Sequence, residues 1–288
     1  MENLASNNKR IAKNTLLLYA RMLFLMVVSL YTSRVVLNAL GVEDFGIYNV
    51  VGGMVAMFSM LSGSLSASIT RFITYELGRG DRKKLRTIFS SAVTIQLGLA
   101  AIIIILAEAL GIWFLNSKMT IPLDRLAAAN WVFQFSVLTF AINLVSVPYN
   151  ASIIAHERMS AFAYISIFEA VGKLAIAYLI TISPIDRLVF YAILMCAVAL
   201  IVRFTYGIYC KRHFEECMYH FIFDKNLLKD MFGFAGWNFI GASSSVLRDQ
   251  GGNVVINLFC GPAVNAARGI AFQVNNAANG FVVNFMMA

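Results

Sequence analysis

Apolar residues run along this chain in eight long blocks, near 14–37, 45–70, 88–115, 126–148, 161–182, 187–209, 230–258 and 263–288. Each is about 20 residues or longer, enough to cross roughly 30 Å of hydrocarbon as a helix. The pattern predicts eight membrane-spanning helices. The eighth block runs to the last residue, so the sequence reads as part of a longer protein.

Composition agrees. Of 288 residues, 59% are hydrophobic and 13% charged, too little polar surface for a soluble protein of this length. No cleaved secretory signal is predicted, because the first block is too long and no small-residue cleavage site follows it. The four cysteines (Cys196, Cys210, Cys217 and Cys260) form no CxxC pair and read as free thiols.

The net charge of +8 changes the picture through its distribution. Thirteen basic residues crowd the N-terminus and every second connection: Lys9, Arg10 and Lys13, then Arg79, Arg82, Lys83, Lys84 and Arg86, then Arg158, then Lys211, Arg212, Lys225 and Lys229. The alternate connections hold Arg34, Lys118, Arg125 and Arg187. The positive-inside rule puts the N-terminus and the basic connections in the cytoplasm. This alternation argues for a membrane rather than nucleic acid as the partner of the charge.

The longest connection, 211–229, is basic, amphipathic and aromatic. It reads as an interfacial helix on the cytoplasmic surface, or as a tether between two bundles. Val35-Val36-Leu37-Asn38 recurs as Val254-Val255-Ile256-Asn257, an offset of 219 residues. Six helices separate the copies, and an even number preserves orientation, as in a parallel repeat. The expected organisation is therefore a six-helix lobe over 1–210, a cytoplasmic linker over 211–229, and the first two helices of a second lobe over 230–288.

Polar residues inside hydrocarbon are costly and usually face a cavity or a partner. Asn14, Arg21 and Thr32 fall on one narrow stripe of the first helix at 100° per residue. A guanidinium there can grip a phosphate through two parallel hydrogen bonds, or snorkel to the headgroups. Ser59, Ser62, Ser66 and Thr70 share a face of the second helix, read first as close packing and alternatively as a polar cavity wall. Glu169 and Lys173 stand at i, i+4 in the favourable order for an ion pair; a self-neutralised structural pair and a carboxylate that titrates during transport are the two readings. Glu108 reads as an acid solvated at the interface, and Arg71 and Arg203 as arginines reaching for headgroups. The seventh block carries Asn238, Arg248 and Asp249, and the eighth Asn265, Arg268 and Asn276. Such helices line an aqueous central cavity, or glue helices together. The chain has no P-loop, DxD pair or metal-ligand spacing, and no catalytic constellation stands out.

The basic N-terminal segment, the span with its early arginine and the stretch SRVVLNALGVEDFGIYNVV together resemble the start of polysaccharide-export flippases. So do GRGDRKKLRTIFSSAV after the second span and PYNASIIAHERMSAFAYISI between the fourth and fifth. These belong to the Wzx-like branch of the multidrug/oligosaccharidyl-lipid/polysaccharide (MOP) exporter superfamily, and the resemblance covers essentially the whole chain. It implies an all-α, MATE-like membrane bundle: one six-helix lobe plus the first two helices of a second. It further implies a bacterial inner-membrane, non-enzymatic flippase for undecaprenyl-pyrophosphate-linked oligosaccharide, working by alternating access in O-antigen, capsule or exopolysaccharide synthesis. Its partners would be the bilayer, the lipid-linked oligosaccharide, and a polysaccharide polymerase with its chain-length machinery; no cofactor is expected.

The residues expected to meet the pyrophosphate and sugars are Arg21, Arg248, Arg268, Asn14, Asn238, Asn265 and Asn276. Glu169 and Asp249 are the candidates for coupling to a proton or sodium gradient. The competing readings are a cation-coupled drug antiporter of the same superfamily, which favours acidic and aromatic cavity residues, and a polyprenyl-linked glycosyltransferase, which needs a catalytic constellation.

Overall fold

A computed structural model describes residues 2–56, 58–117, 121–221, 224–225, 227–241, 243–244 and 279. The described secondary structure is helical. In chain order it comprises α1 (Glu2–Leu40), α2 (Val42–Ala56), α3 (Ser59–Arg79), α4 (Arg82–Leu106), a π turn (Ala107–Gly111), α5 (Ile112–Ser117), α6 (Leu126–Ala155), α7 (Met159–Leu179) and α8 (Arg187–His213). Short 3₁₀ turns follow α7 at Ile180–Ile182 and α8 at Glu215–Cys217, and a further helix runs through 227–241.

Five segments are long and apolar enough to cross a membrane: Ala12–Leu40, Arg82–Ser117, Leu126–Ala155, Met159–Ile182 and Arg187–His213. They overlie the first, third, fourth, fifth and sixth predicted spans. The second predicted span, 45–70, is two helices rather than one. Phe58 N donates to Val55 O at 3.1 Å, an i to i−3 bond that tightens and ends α2. The Phe58 ring leans on Phe140 of α6, with centroids 6.4 Å apart. The glycines Gly52 and Gly53 weaken the helix just before the break.

The turns between helices have local causes. Gly41 and Gly80 adopt left-handed φ values of 84° and 75°, so α1 turns into α2 and α3 into α4 within one or two residues. Asp81 caps α4 by accepting from Lys84 N at 3.0 Å. Asp186 caps α8 by accepting from the Leu188 and Val189 amides. Gly111, at the end of the π turn, has no room for a side chain, because a Cβ would overlap the Phe133 ring of α6.

α6 is the central helix, packed against α2, α3, α4 and α8, while α1 pairs chiefly with α7. Large apolar side chains such as Leu30, Ile105 and Phe204 stay exposed, as expected of a surface whose solvent is lipid.

Ion pairs close both ends. At the end bearing Gly41, Arg125 holds Asp44 of α2 through Nε–Oδ1 at 2.8 Å and through Nη2. Its Nη1 also donates to Asp186 Oδ2 at 2.6 Å. Hydrogen bonding to Asp44 outweighs partial burial and raises the Arg125 pKa. Partial burial pushes Asp186 up, but Arg125 and the two amides outweigh it and hold the carboxyl below its ordinary value.

At the basic end, buried Glu76 pairs with Lys84 at 2.7 Å, Arg82 with Glu215 at 2.6 Å, and His156 with Glu216 at 3.1 Å. Arg86 Nη2 lies 2.6 Å from His220 Nε2. These contacts strap 214–221 along α4. Over 214–221 the described chain is a short 3₁₀ turn followed by non-helical residues. Phe214 is buried and stacks on His156, just past the end of α6, with centroids 4.0 Å apart, while Phe221 stays exposed.

Candidate functional site

The α1–α7 pair, flanked by α2 and α8, encloses a cavity of about 400 Å³. Its α1 wall is one helical face: Arg21, Leu25, Val28, Ser29, Thr32, Ser33 and Val36. α2 contributes Phe45, Tyr48 and Asn49, α7 contributes Ser166, Glu169, Ala170 and Lys173, and α8 contributes Tyr191.

Arg21 is the cation of the α1 wall. Its guanidinium lies over the Phe162 ring, 4.3 Å from the centroid. The ring supports one face of the guanidinium by cation–π attraction. Arg21 Nε is buried without a hydrogen-bond partner among the described residues. Such a donor costs free energy unless water or a ligand meets it. Thr32 Oγ1, higher on the same wall, is likewise buried and unpartnered.

Across the cavity Lys173 Nζ donates to Glu169 Oε1 at 2.6 Å. This is the i, i+4 pair read from the sequence, and both members line the cavity. Glu169 offsets one cation, so the three ionised groups leave the cavity net positive. Tyr48 and Tyr191 meet edge to face, 4.7 Å between centroids, and join α2 to α8 beside the cavity. Tyr31 and Tyr178 hydroxyls lie 2.7 Å apart and join α1 to α7. Asn49 Nδ2 donates to Phe45 O at 2.9 Å, which orients the amide on the α2 wall.

The structure thus brings together Arg21, Thr32, Glu169 and Lys173. Asn14 is buried on α1 with an Nδ2 that has no partner among the described residues, but it is not among the residues lining this cavity. Asn238 stands on the 227–241 helix, also with a buried Nδ2 that has no partner among the described residues, and is not among the residues lining this cavity. That helix leans on α3, where Ser68 Oγ donates to Met231 O at 3.0 Å. Arg248, Asp249, Asn265, Arg268 and Asn276 lie outside the described residues, as does the second copy of the Val-Val-Leu-Asn echo.

Other polar residues find specific neighbours. Arg71 packs over Phe234 at 4.2 Å and Arg203 over Tyr149 at 3.9 Å. Glu108 accepts from Gln134 Nε2 at 3.1 Å. On α3 the fully packed hydroxyl residues are Ser64 and Ser68, while Ser62, Ser66 and Thr70 are half-buried. Cys196, Cys210 and Cys217 are free thiols.

Sequence reasoning missed Ser29 and Ser33, Asn49, the two tyrosines and Lys173 as cavity residues. Ser29 and Ser33 line the cavity with Arg21 although they stand about 80° and about 120° round the helix from it at 100° per residue, so a narrow stripe drawn through Arg21 does not reach them. The place of Tyr48, Asn49 and Tyr191 depends on how α2 and α8 pack.

The family profile described as polysaccharide biosynthesis protein matches residues 11–288. Among individual proteins, the chain is 23% identical over 124 residues to EpsK, an uncharacterised membrane protein of Bacillus subtilis (strain 168); the match covers 43% of this chain and 24% of EpsK. Among solved structures it is similar to an outward-facing multidrug resistance MATE family transporter of the MOP superfamily, with a TM-score of 0.79 at 13% identity over 97% of this chain. It is also similar to a MOP superfamily transporter from Pyrococcus furiosus, with a TM-score of 0.78 at 13% identity over 97% of this chain. The chain spans 62% of the length of each of these two transporters. Its apolar helices make it a multi-pass membrane protein, it has a MATE-like fold, and it belongs to the polysaccharide biosynthesis protein family.

Proposed function

We propose that this chain is the cavity-bearing part of a flippase that carries a polyprenyl-pyrophosphate-linked oligosaccharide across the bacterial inner membrane. The observation that carries the reading is the Arg21 guanidinium, seated on Phe162 in a polar, net-positive cavity within the span. A pyrophosphate-sugar headgroup needs water and positive charge across the hydrocarbon. Arg21 supplies paired N–H donors suited to phosphate oxygens. Ser29, Ser33, Thr32 and Asn49 are hydrogen-bonding partners for sugar hydroxyls. The polyprenyl chain stays in lipid while the headgroup crosses, and two lobes rocking about the cavity would alternate its exposure.

Arg248, Arg268, Asn265 and Asn276 are proposed to supply the facing wall. The division into 1–210, 211–229 and 230–288 belongs to the same proposal, as do the cytoplasmic N-terminus and coupling through Glu169 or Asp249.

A cation-coupled drug antiporter is the second reading, favoured by the acid in the cavity and the likeness to a multidrug transporter. Lys173 neutralises that acid at 2.6 Å, leaving Arg21 to set the sign of the cavity. In the Pyrococcus furiosus transporter a reversed polarity of the binding pocket suggests a different function. The same criterion separates anionic from cationic cargo here.

The test is polymer export by cells whose full-length protein carries Arg21→Ala. Export falls at least about tenfold, as expected for loss of charge-assisted phosphate bonds, while membrane insertion is unchanged. Unimpaired export would remove Arg21 from the site, and drug resistance with no effect on polymer would favour the antiporter.

A further inference from the structure

A second, different concavity lies on the outer face of the bundle, between α4, α6 and α8. It has a volume of about 350 Å³ and is almost wholly apolar. Its lining includes Ala100, Ala101, Ala141, Val145 and Phe204, with Arg203 as the charged member. The alanines keep the floor low between two flanking helices. The result is a trough shaped for a flexible hydrocarbon chain rather than a flat lipid-facing surface.

Arg203 gives this trough a polar end. Its guanidinium lies over the Tyr149 ring at 3.9 Å, and Tyr149 is itself held edge to face on Phe89 at 5.1 Å. One residue from each wall thus builds the platform. Arg203 Nη1 would stand 3.0 Å from a Cβ at Gly207, so the side chain reaches one turn toward the basic end, over a glycine that leaves it room. No carboxylate among the described residues pairs with Arg203.

Depth identifies what meets it. The 27 residues of α8 span about 40 Å, about 5 Å beyond the hydrocarbon core at each end. Gly207 lies six residues before the helix end at His213, about 9 Å along the axis and therefore about 4 Å inside the hydrocarbon edge. A lipid phosphate sits just outside that edge, and local thinning of the bilayer around an arginine brings the two together, above an acyl chain that descends into the trough.

We infer that the α4/α6/α8 trough is a binding site for one anionic phospholipid, its acyl chain on the alanine floor and its phosphate on Arg203. The site is separate from the α1/α7 cavity and does not depend on what that cavity carries. Net negative charge is preferred because Arg203 has no carboxylate partner among the described residues, and Lys211 and Arg212 follow it at the same end. The trough recognises shape and length of chain, while the guanidinium recognises the phosphate by a forked pair of hydrogen bonds.

The experiment uses the delipidated full-length protein, with phosphatidylglycerol, phosphatidylcholine or a polyprenyl phosphate added back and bound lipid counted by mass spectrometry. The wild type should retain phosphatidylglycerol at least about tenfold more tightly than phosphatidylcholine. Arg203→Gln should erase that preference, since a charged hydrogen bond is worth about one such factor. Ala141→Phe, which fills the floor, should release both lipids. An unchanged preference in Arg203→Gln would overturn the assignment, as would polyprenyl phosphate displacing phosphatidylglycerol from the wild type. Should Ala141→Phe not fold, the Arg203→Gln comparison decides alone.

Discussion

An arginine inside hydrocarbon persists where water, a partner or a ligand meets it. Arg21 has an aromatic ring on one side and an open cavity on the other, which fits a ligand-facing role better than headgroup snorkelling. Glu169 stands opposite as the cavity acid, held by Lys173 at 2.6 Å. If Glu169 carries the coupling proton, Glu169→Gln transports without responding to an imposed pH gradient and still binds headgroup. A variant that keeps the full gradient response in proteoliposomes assigns coupling elsewhere. At this scale the sequence was informative where helical periodicity governs. Arg21, Thr32 and the Glu169–Lys173 pair follow from spacing alone. Asn14 shares the Arg21 stripe yet is not part of the cavity wall, because a stripe fixes direction around the helix and not depth along it.

Elements depend on their junctions. Five predicted spans correspond to continuous apolar segments, but the second is two helices, α2 and α3, and Phe58 between them leans its ring on Phe140 of α6. The first part of the linker is strapped to the start of α4 by Arg82–Glu215 and Arg86–His220 contacts, which a reading of its amphipathic pattern alone does not reveal. At the opposite end Arg125 clasps the starts of α2 and α8 through Asp44 and Asp186. Asp186 has a folded pKa below its ordinary value. Its contribution to stability is therefore fully present above the ordinary aspartate value, about 3.9, and is lost as pH falls through the lowered folded value. Asp186→Asn keeps the helix cap and removes the charge. Its thermal midpoint should lie below wild type at pH 7 by an amount corresponding to at most about 1 kcal/mol, with the gap closing in acid. A gap independent of pH would refute the clasp.

For the whole molecule, alternation of basic connections predicts the orientation of every pass. Cysteine replacements at Lys83 and at Leu123, both exposed, test it in cells. Lys83→Cys should label only after permeabilisation and Leu123→Cys in intact cells; the reverse pattern would invert the topology. The fold class was legible from the eight blocks, and the family from the loop motifs. The cavity was legible on its α1 wall and hidden on its α2 and α8 walls, whose residues converge only through tertiary packing around α6.

The central claim is that Arg21 meets an anionic, lipid-linked headgroup as it crosses the membrane. The most direct measurement is flipping of a fluorescent polyprenyl-pyrophosphate oligosaccharide by the full-length protein in proteoliposomes, wild type beside Arg21→Ala. We predict translocation by the wild type and a loss of at least about tenfold in the variant at equal reconstitution. Equal rates for the two proteins, or no flipping by the wild type under any imposed gradient, would contradict it.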